Sequence, residues 1–434
     1  MSIQVYKFGG ASVKNHEGIR NVANIIKKYG LQKSLIIVVS ATGKTTNQLE
    51  EVIKEKFKNI KSALELLKAI HEKHIHIAQE LGFEEEHVLY QEIQEHFVEA
   101  EWIIEETREM SFDYVYDQII AVGELISSRI LSRWLEKVGI DIEWIDAREI
   151  IQTNDTYRDA RIEWENTNSK IINTLSPVLR NGKMIVTQGF IGSTTENNTT
   201  TLGREGSDYT AAILSSAVQA ESMTIWKDVP GILTADPAKF LNVSKLDRLT
   251  YTEAIEMTYY GAKVIHPKTI QPLKLKSIPL YVKSFIHPEG EGSVITGDID
   301  LEYPPIVVLE PNQALVHFSS NDLSFIAEHH LAHLFKLFEK HRIKINMMRN
   351  TAISFSVCVS YDPDRLNRMI DEIKNEFRVI IDLNLELITV RHYIDSMLPK
   401  LVEEKIIILE ERIRKTIQMV VKNAPSIIPK PSES

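Results

Sequence analysis

The chain opens with short apolar runs that alternate with helical segments. Residues 5–8 form a short, largely apolar run that contains Lys7 and ends at Gly9 and Gly10, and apolar residues recur with helical spacing from 19 to 26. Residues 34–39 form a second, continuous apolar run, which is typical of a parallel strand buried on both faces. This alternation predicts an α/β sheet whose ligands bind at the carboxyl ends of the strands.

The next segments extend this pattern. Residues 49–108 show helical periodicity that is broken near Gly82, which predicts a helical hairpin packed beside the sheet. Residues 143–147, 184–192 and 223–227 read as further strands. Residues 193–201 are rich in threonine and asparagine, and this composition predicts a mobile loop or lid.

The pattern changes after residue 297. All 18 glycines lie at or before Gly297, and Pro304 and Pro305 follow shortly afterwards, so we predict a domain boundary between 297 and 305. Residues 305–393 have the βαββαβ order of a ferredoxin-like unit, and a second, truncated unit begins near 395. The predicted organisation is an α/β domain over 1–297, these two units over 305–423, and a disordered tail over 424–434, which carries three prolines and three serines.

Composition narrows the class of protein. The 434 residues have a formal net charge of -10 with both signs interleaved, which argues against a nucleic-acid surface. No segment has the length and apolar character of a membrane span, and residues 1–4 do not resemble the start of a secretory signal. The only cysteine, Cys358, lies in an apolar strand and reads as a core residue. We therefore expect a cytoplasmic protein.

Candidate chemistry begins at the end of the first strand. Gly9 and Gly10 let the backbone approach a ligand, the helix that follows offers its N-terminus to phosphate, and Lys7 adds a positive charge. A tight turn alone would also explain the glycine pair. Residues 40–47 form a polar loop at the same edge of the sheet, with hydroxyl groups and a lysine suited to a ligand.

Two charged residues in unusual settings extend this site. Glu124 lies in an apolar helical segment, where a carboxylate needs a partner; the alternatives are a salt bridge, for example with Arg129, and a contact with a substrate ammonium group. Arg204 lies between Gly203 and Glu205-Gly206, where it can bind a carboxylate through two parallel hydrogen bonds. The Ser207-Asp208 pair that follows reads as a helix cap.

Four segments in this order resemble the aspartate kinases of the amino-acid kinase superfamily: 7–13, 203–212, 226–237 and 260–267. The C-terminal part resembles, more loosely, the ACT regulatory region of that family. The resemblance implies an amino-acid kinase fold, which is an α/β fold with a central, mostly parallel sheet between helices, followed by ferredoxin-like α+β ACT-type units. It also implies transfer of the γ-phosphoryl group of ATP to the β-carboxylate of L-aspartate, with Mg²⁺, and a homodimer formed through the ACT-like units.

The resemblance assigns roles residue by residue. The phosphates would contact Lys7, Gly9, Gly10, Ser12 and Lys263. The amino-acid substrate would contact Ser40, Thr46, Glu124 for its ammonium group, Arg204 for its α-carboxylate, and Ser207. Asp208 would orient the phosphate lysines or the metal, so that Lys7, Asp208 and Lys263 would be the catalytic residues. The rest of the nucleotide would lie along Trp226, Lys227, Asp228, Leu233 and Asp236. No dedicated cluster of metal ligands is expected, because phosphates and water hold most of the Mg²⁺.

The chemistry explains why a histidine base is missing from these motifs. A carboxyl group with a reference pKa of about 3.9 is already an anionic nucleophile at neutral pH. The enzyme therefore has to align two anions and neutralise their charge, which lysines, glycine N–H groups and an arginine can do.

Three departures from the family pattern stand out. Ala11 occupies a usual threonine position, and Glu205, at a usual glycine position, adds a negative charge beside Arg204. The first ACT-like unit lacks the usual glycine-containing turn, so we predict weak or absent feedback inhibition by lysine or threonine.

Two alternative functions remain open from the sequence: a catalytically silent amino-acid sensor and a kinase of a related amino acid.

Overall fold

The computed structural model describes residues 2–31, 33–262, 265–297, 301–320 and 325–423. Lys263 and the tail 424–434, for which predictions were made, lie outside these ranges. The described chain divides into two compact units. The first comprises 2–232, 245–255 and 265–297, and the second comprises 233–244, 256–262, 301–320 and 325–423.

The helices are α1 (His16–Tyr29), α2 (Thr45–Lys56), α3 (Ile60–Glu80), α4 (Val88–Glu105), α5 (Phe112–Lys137), α6 (Ala147–Ile150), α7 (Trp164–Arg180), α8 (Gly206–Ala217), α9 (Tyr251–Tyr259), α10 (Pro267–Leu275), α11 (Glu328–Lys340), α12 (Pro363–Ile373) and α13 (Leu398–Leu401), with a 3₁₀ turn at Asp395–Met397. No helix among the described residues is long and apolar enough to cross a membrane.

The strands are β1 (Ile3–Phe8), β2 (Ser34–Val39), β3 (Ile142–Ile145), β4 (Met184–Gln188), β5 (Ile191–Ser193), β6 (Thr199–Thr201), β7 (Ser222–Lys227), β8 (Ile232–Leu233), β9 (Lys245–Leu246), β10 (Arg248–Thr250), β11 (Leu280–Ser284), β12 (Ser293–Thr296), β13 (Ile306–Ser320), β14 (Ile345–Asn350), β15 (Ser354–Ser360), β16 (Phe377–Arg391), β17 (Lys405–Ile413) and β18 (Thr416–Asn423).

The first unit is built on an eight-stranded sheet in the order β10-β12-β11-β7-β1-β2-β4-β3. All neighbours in it are parallel except β11 and β12. In β1 and β2 every residue after the first is buried, as the continuous apolar runs predicted. The expected α/β fold is confirmed, and the carboxyl ends of β1, β2, β4 and β7 meet at one edge of the sheet.

Helices cover the sheet and extend its core. In α1, Asn15 caps the first turn by accepting a hydrogen bond from the N–H of Gly18 at 3.0 Å. The apolar side of α1 buries Ile19, Val22 and Ile26 in the same core as α3, α4 and α5. The segment 49–108 is helical as predicted, and the predicted break at Gly82, which has a φ of +75°, separates α3 from α4. The predicted hairpin is incomplete, because a second break before α3, which Asn59 caps, makes α2 a third helix.

The segment 193–201 is more ordered than its composition predicted. Its ends belong to the antiparallel pair β5 and β6, in which Gly192 faces Thr200. The backbone N–H and the hydroxyl of Thr201 donate to the carboxylate of Asp117 at 2.8 and 2.7 Å. The prediction of a mobile loop is therefore wrong for the strand residues, because Asp117, 84 positions earlier, holds this polar segment in place.

The second unit is a six-stranded antiparallel sheet in the order β14-β15-β13-β16-β18-β17. The order β13, α11, β14, β15, α12, β16 is the predicted ferredoxin-like unit, and α11 and α12 pack on one face of the sheet. The truncated second unit contributes β17 and β18, while its predicted helix is reduced to the 3₁₀ turn and α13. Cys358 is fully buried in β15, as predicted.

Candidate functional site

A cavity of about 560 Å³ opens at the carboxyl ends of β1, β2 and β7, in the first unit. The loops after these strands, one side of α5 and the first turn of α8 form its walls. Its lining consists of Lys7, Gly10, Ser40, Ala41, Gly43, Thr46, Tyr116, Glu124, Arg158, Phe190, Gly203, Arg204, Glu205, Gly206, Ser207, Asp208 and Lys227.

The loops after β1 and β2 pack closely, and glycine makes this contact possible. The N–H of Gly43 donates to the carbonyl of Gly10 at 3.0 Å. A side chain at Gly10 would place its Cβ 2.7 Å from the carbonyl oxygen of Ala41, which is too close for any residue but glycine. Gly10 is thus required by the close approach of two loops that both line the cavity, whereas Gly9 has room for a side chain.

A buried ion pair lies at the end of β1. The Nζ of Lys7 is 2.6 Å from the carboxylate of Asp208, and both side chains are at least nine-tenths buried. Burial acts to raise the pKa of Asp208, but the positive charges of Lys7 and Lys227 outweigh burial and lower this pKa. The carboxylate therefore stays ionised and holds Lys7 at the point where β1 enters the glycine loop.

Glu124 lies across the cavity on α5 and is 4% exposed. It accepts hydrogen bonds from the backbone of Ala41 and the side chain of Ser207, yet its Oε2 atom is buried without a partner among the described residues. Burial is the main cause that raises the pKa of Glu124 to about 8, against the opposing effects of these hydrogen bonds and Lys7. An unpaired, buried carboxyl oxygen in a cavity is suited to a cationic ligand.

The salt bridge considered for Glu124 is not observed. Arg129 instead lies 3.6 Å from the carboxylate of Glu92, and its guanidinium stacks 3.5 Å from the ring centre of Trp144. Arg129 is therefore a structural residue of α5, and Glu124 remains available to the cavity.

The turn before α8 carries Arg204 and Glu205. Arg204 is exposed and lines the cavity, whereas Glu205 adopts a φ of +55°, a left-handed conformation that favours glycine. The Oε2 atom of Glu205 is buried without a hydrogen-bond partner in the described part of the chain. Because α8 begins at Gly206, Ser207 and Asp208 belong to its first turn and do not cap it, which corrects the predicted helix cap.

The structure brings nine of the predicted site residues together in this cavity: Lys7, Gly10, Ser40, Thr46, Glu124, Arg204, Ser207, Asp208 and Lys227. Gly9 adjoins the Nζ of Lys7, and Ser12 is buried with its hydroxyl 3.5 Å from the carbonyl of Trp226. Asp228 is exposed in the loop after β7, and Trp226 lines a different cavity. Leu233 and Asp236 belong to the second unit, and Lys263 lies outside the described residues.

Sequence reasoning missed three residues of the lining: Tyr116, Arg158 and Phe190. The guanidinium of Arg158 lies 4.5 Å from the ring centre of Tyr116, and its backbone N–H donates to Asp117. This arrangement depends on the φ of +70° at Arg158 and on contacts between distant segments. No local pattern in the sequence indicates it.

The cavity contains carboxylates but no metal cluster. Across the described ranges, no group of three or more His, Cys, Asp and Glu side chains is placed to hold a metal ion. The acidic residues of the lining are Glu124, Glu205 and Asp208, and the last of these already contacts Lys7. These residues fit a metal ion that arrives with phosphate ligands of its own.

Comparison with known proteins agrees with this geometry. A model described as the amino acid kinase family matches residues 2–284. The lysine-sensitive aspartokinase 3 of Escherichia coli is 31% identical over 82% of this chain and 78% of its own length. The chloroplastic aspartokinase 3 of Arabidopsis thaliana is 30% identical over 98% of this chain and 77% of its own.

A solved aspartokinase structure is also similar to this chain. The crystal structure of E. coli aspartokinase III in complex with aspartate and ADP superimposes with a TM-score of 0.84 at 28% identity, covering 97% of this chain and 96% of that one. The chain therefore belongs to the amino acid kinase family and, within it, to the aspartokinases.

Proposed function

We propose that this protein transfers the γ-phosphoryl group of ATP to the β-carboxylate of L-aspartate and forms 4-phospho-L-aspartate. The observation that carries the proposal is the cavity itself, which combines the buried Lys7–Asp208 pair with Glu124 and Arg204. The similar E. coli aspartokinase III structure contains aspartate and ADP. Formation of an aspartyl phosphate is the first step of lysine, threonine and methionine biosynthesis, and we propose that role here.

Lys7 and the glycine loop would hold the phosphates. The N–H groups of the loop at Gly9 and Gly10 and the N-terminal turn of α8 supply partial positive charge, and Lys7 supplies a full one. Asp208 would act by positioning Lys7, since their 2.6 Å contact fixes the ammonium group. Lys263 and the nucleotide contacts of Ser12, Lys227 and Asp228 remain part of the proposal. Trp226 does not, because it lines a different cavity. Mg²⁺, when bound with ATP, supplies further neutralisation of the phosphate charge.

Glu124 and Arg204 would hold the amino-acid substrate at its two α-groups. The unpaired Oε2 of Glu124 would accept from the ammonium group, and Arg204 would bind the α-carboxylate. Ser40, Thr46 and Ser207 line the same cavity and would contribute hydroxyl groups. The β-carboxylate, already ionised, then attacks the γ-phosphorus without a general base, while the bond from this phosphorus to the β,γ-bridging oxygen breaks and ADP leaves.

The remaining features of the proposal concern assembly and regulation. We propose that 1–297 contains the kinase domain, although 233–244 and 256–262 group with the second unit, and that 305–423 is the regulatory region. Ile406, Ile407 and Ile408 are 50, 40 and 38% exposed on the edge strand β17, which supports a homodimer formed through this region. A single buried cysteine supports a cytoplasmic location. Weak feedback inhibition remains a prediction, which titration of the kinase with lysine and threonine tests.

A coupled assay of ADP formation tests the proposed function. We expect ADP release that requires Mg²⁺ and L-aspartate, and little or none with L-glutamate or without an acceptor. ADP release with L-glutamate alone would favour a kinase of a related amino acid. Folded protein that binds L-aspartate but releases no ADP would favour a catalytically silent sensor.

A further inference from the structure

A second cavity, of about 440 Å³, lies on one face of the sheet in the first unit. It shares no lining residue with the cavity described above. Its size falls within the range of small-molecule sites in proteins, roughly 300–1,000 Å³. None of the functions proposed so far uses it.

The floor of this cavity is set by the register of three adjacent strands. Tyr6 of β1 faces Thr224 of β7, which faces Tyr281 of β11. Two positions further along, Trp226 of β7 faces Lys283 of β11. Because alternate residues of a strand point to the same face, these side chains form one continuous surface.

Aromatic rings dominate this surface. The indole of Trp226 meets Tyr6 edge-on at 5.7 Å between ring centres and lies 6.1 Å from Tyr29. Trp226 is 2% exposed, and its Nε1–H is buried without an acceptor among the described residues. A buried N–H of this kind loses its hydrogen bond to water, and an acceptor on a ligand would restore it.

The charges around the cavity favour an anion. Lys33 and Lys283 line it, with Glu221 as the acidic residue of the lining. Lys33 lies 3.9 Å from Glu221, so its charge is partly balanced. Burial lowers the pKa of Lys283, an effect that Glu291 opposes, and Lys283 has no ion pair among the described residues. The site therefore retains one poorly solvated cation beside an aromatic floor.

We propose that this second cavity is a binding site for a planar aromatic carboxylate. The ring of the ligand would lie on the surface formed by Tyr6, Trp226 and Tyr281. Its carboxylate would reach Lys283, and an acceptor atom would take the Nε1–H of Trp226. Such a site is separate from those for aspartate and ATP, and its occupancy does not depend on the proposed kinase activity.

Titration with 2-naphthoate tests the proposal, with the indole groups of all five tryptophans labelled with ¹⁵N. The N–H signal of Trp226 is assigned from the Trp226→Phe variant. We expect this signal to move downfield as the N–H gains an acceptor, while Trp102, which is 67% exposed elsewhere, serves as an internal control. The neutral analogue 2-naphthalenemethanol should bind at least ~10-fold more weakly, because it lacks the charge that pairs with Lys283.

The matched variant is Lys283→Met, which keeps the length of the side chain and removes its charge. We expect it to weaken 2-naphthoate binding at least ~10-fold and to leave binding of the alcohol unchanged. The indole signals of the ligand-free variant show whether it is folded. Three results would overturn the proposal: a Trp226 signal that does not move, equal affinities for the acid and the alcohol, or displacement of 2-naphthoate by ADP.

Discussion

The raised pKa of Glu124 predicts that L-aspartate binding depends on pH. Burial raises the pKa of Glu124 to about 8, so the carboxyl group is mostly protonated at neutral pH before a ligand binds. A substrate ammonium group needs the ionised form, so binding has to release the proton. Affinity should therefore rise with pH until the carboxyl group is already ionised before aspartate binds.

The size of this pH dependence follows from the pKa of Glu124. At pH 7, one unit below a pKa of about 8, ionising Glu124 costs about 1.4 kcal/mol, and at pH 6 about 2.7 kcal/mol. The dissociation constant for aspartate should fall about tenfold for each unit between pH 6 and 7 and level off above pH 8. Glu124→Gln, which cannot ionise, should bind aspartate weakly and without this dependence.

Isothermal titration calorimetry at pH 6, 7 and 8, in buffers of different ionisation enthalpy, measures both affinity and proton release. L-malate is the matched ligand control, since a hydroxyl group replaces the ammonium group and no ionised partner is needed. Aspartate affinity that is flat over this range, or an equal pH dependence in Glu124→Gln, would refute the role assigned to Glu124.

Three further predictions concern charge and strain. Asp208→Asn leaves Lys7 buried and unpaired, so the free energy of unfolding should fall by about 3–5 kcal/mol, and kcat should also fall. Urea unfolding measures the first change and steady-state kinetics the second. Glu205→Gly removes a left-handed non-glycine residue, so it should stabilise the protein by about 1 kcal/mol and lower the KM for aspartate. Burial lowers the pKa of His74 to about 4, so the neutral ring favours the folded state at its full value above pH 6.5. As the pH falls toward 4, the free energy of unfolding should decrease by up to about 3 kcal/mol. His74→Leu should remove this decrease, which urea unfolding at pH 5 and 7 measures.

Two of these variants, Asp208→Asn and Glu205→Gly, have a matched control elsewhere in the chain. Glu51→Gln breaks the exposed pair with Lys54 at 2.8 Å and should leave the free energy of unfolding nearly unchanged, in contrast to Asp208→Asn, because solvent screens an exposed pair. Ser277→Gly relieves a φ of +54° away from the cavity, so it should raise stability without changing the KM. A Glu205→Gly variant with an unchanged KM, or a His74→Leu variant with the wild-type acid sensitivity, would contradict the explanation given.

Local patterns in the sequence are sufficient to predict the part of the site that lies where strands end in loops. A buried strand that ends in Lys7 and two glycines, and an arginine between glycines before a helix, point to a phosphate and carboxylate site. Each of these two signals occupies only a few consecutive residues, and the open edge of a parallel sheet brings the two signals together. Nine of the predicted residues line the cavity, and all but Glu124, which lies on α5, come from strand ends, loops and first helical turns.

Other features depend on contacts between distant segments. The order of residues 199–201 depends on Asp117, and Arg158 reaches the cavity through a strained backbone conformation. Trp226 shows this clearly, because the family resemblance assigns it, with Lys227 and Asp228, to the nucleotide. Consecutive strand residues point to opposite faces, so Trp226 lines the second cavity while Lys227 lines the first.

Trapping of the reaction product with hydroxylamine tests the central claim most directly. Hydroxylamine converts an acyl phosphate to a hydroxamate, so the assay detects the bond that the proposed reaction forms. We predict hydroxamate from L-aspartate that requires ATP and Mg²⁺, with little or none from L-glutamate or without an acceptor. Folded protein that forms no hydroxamate from L-aspartate, under conditions where it binds both substrates, would contradict the account.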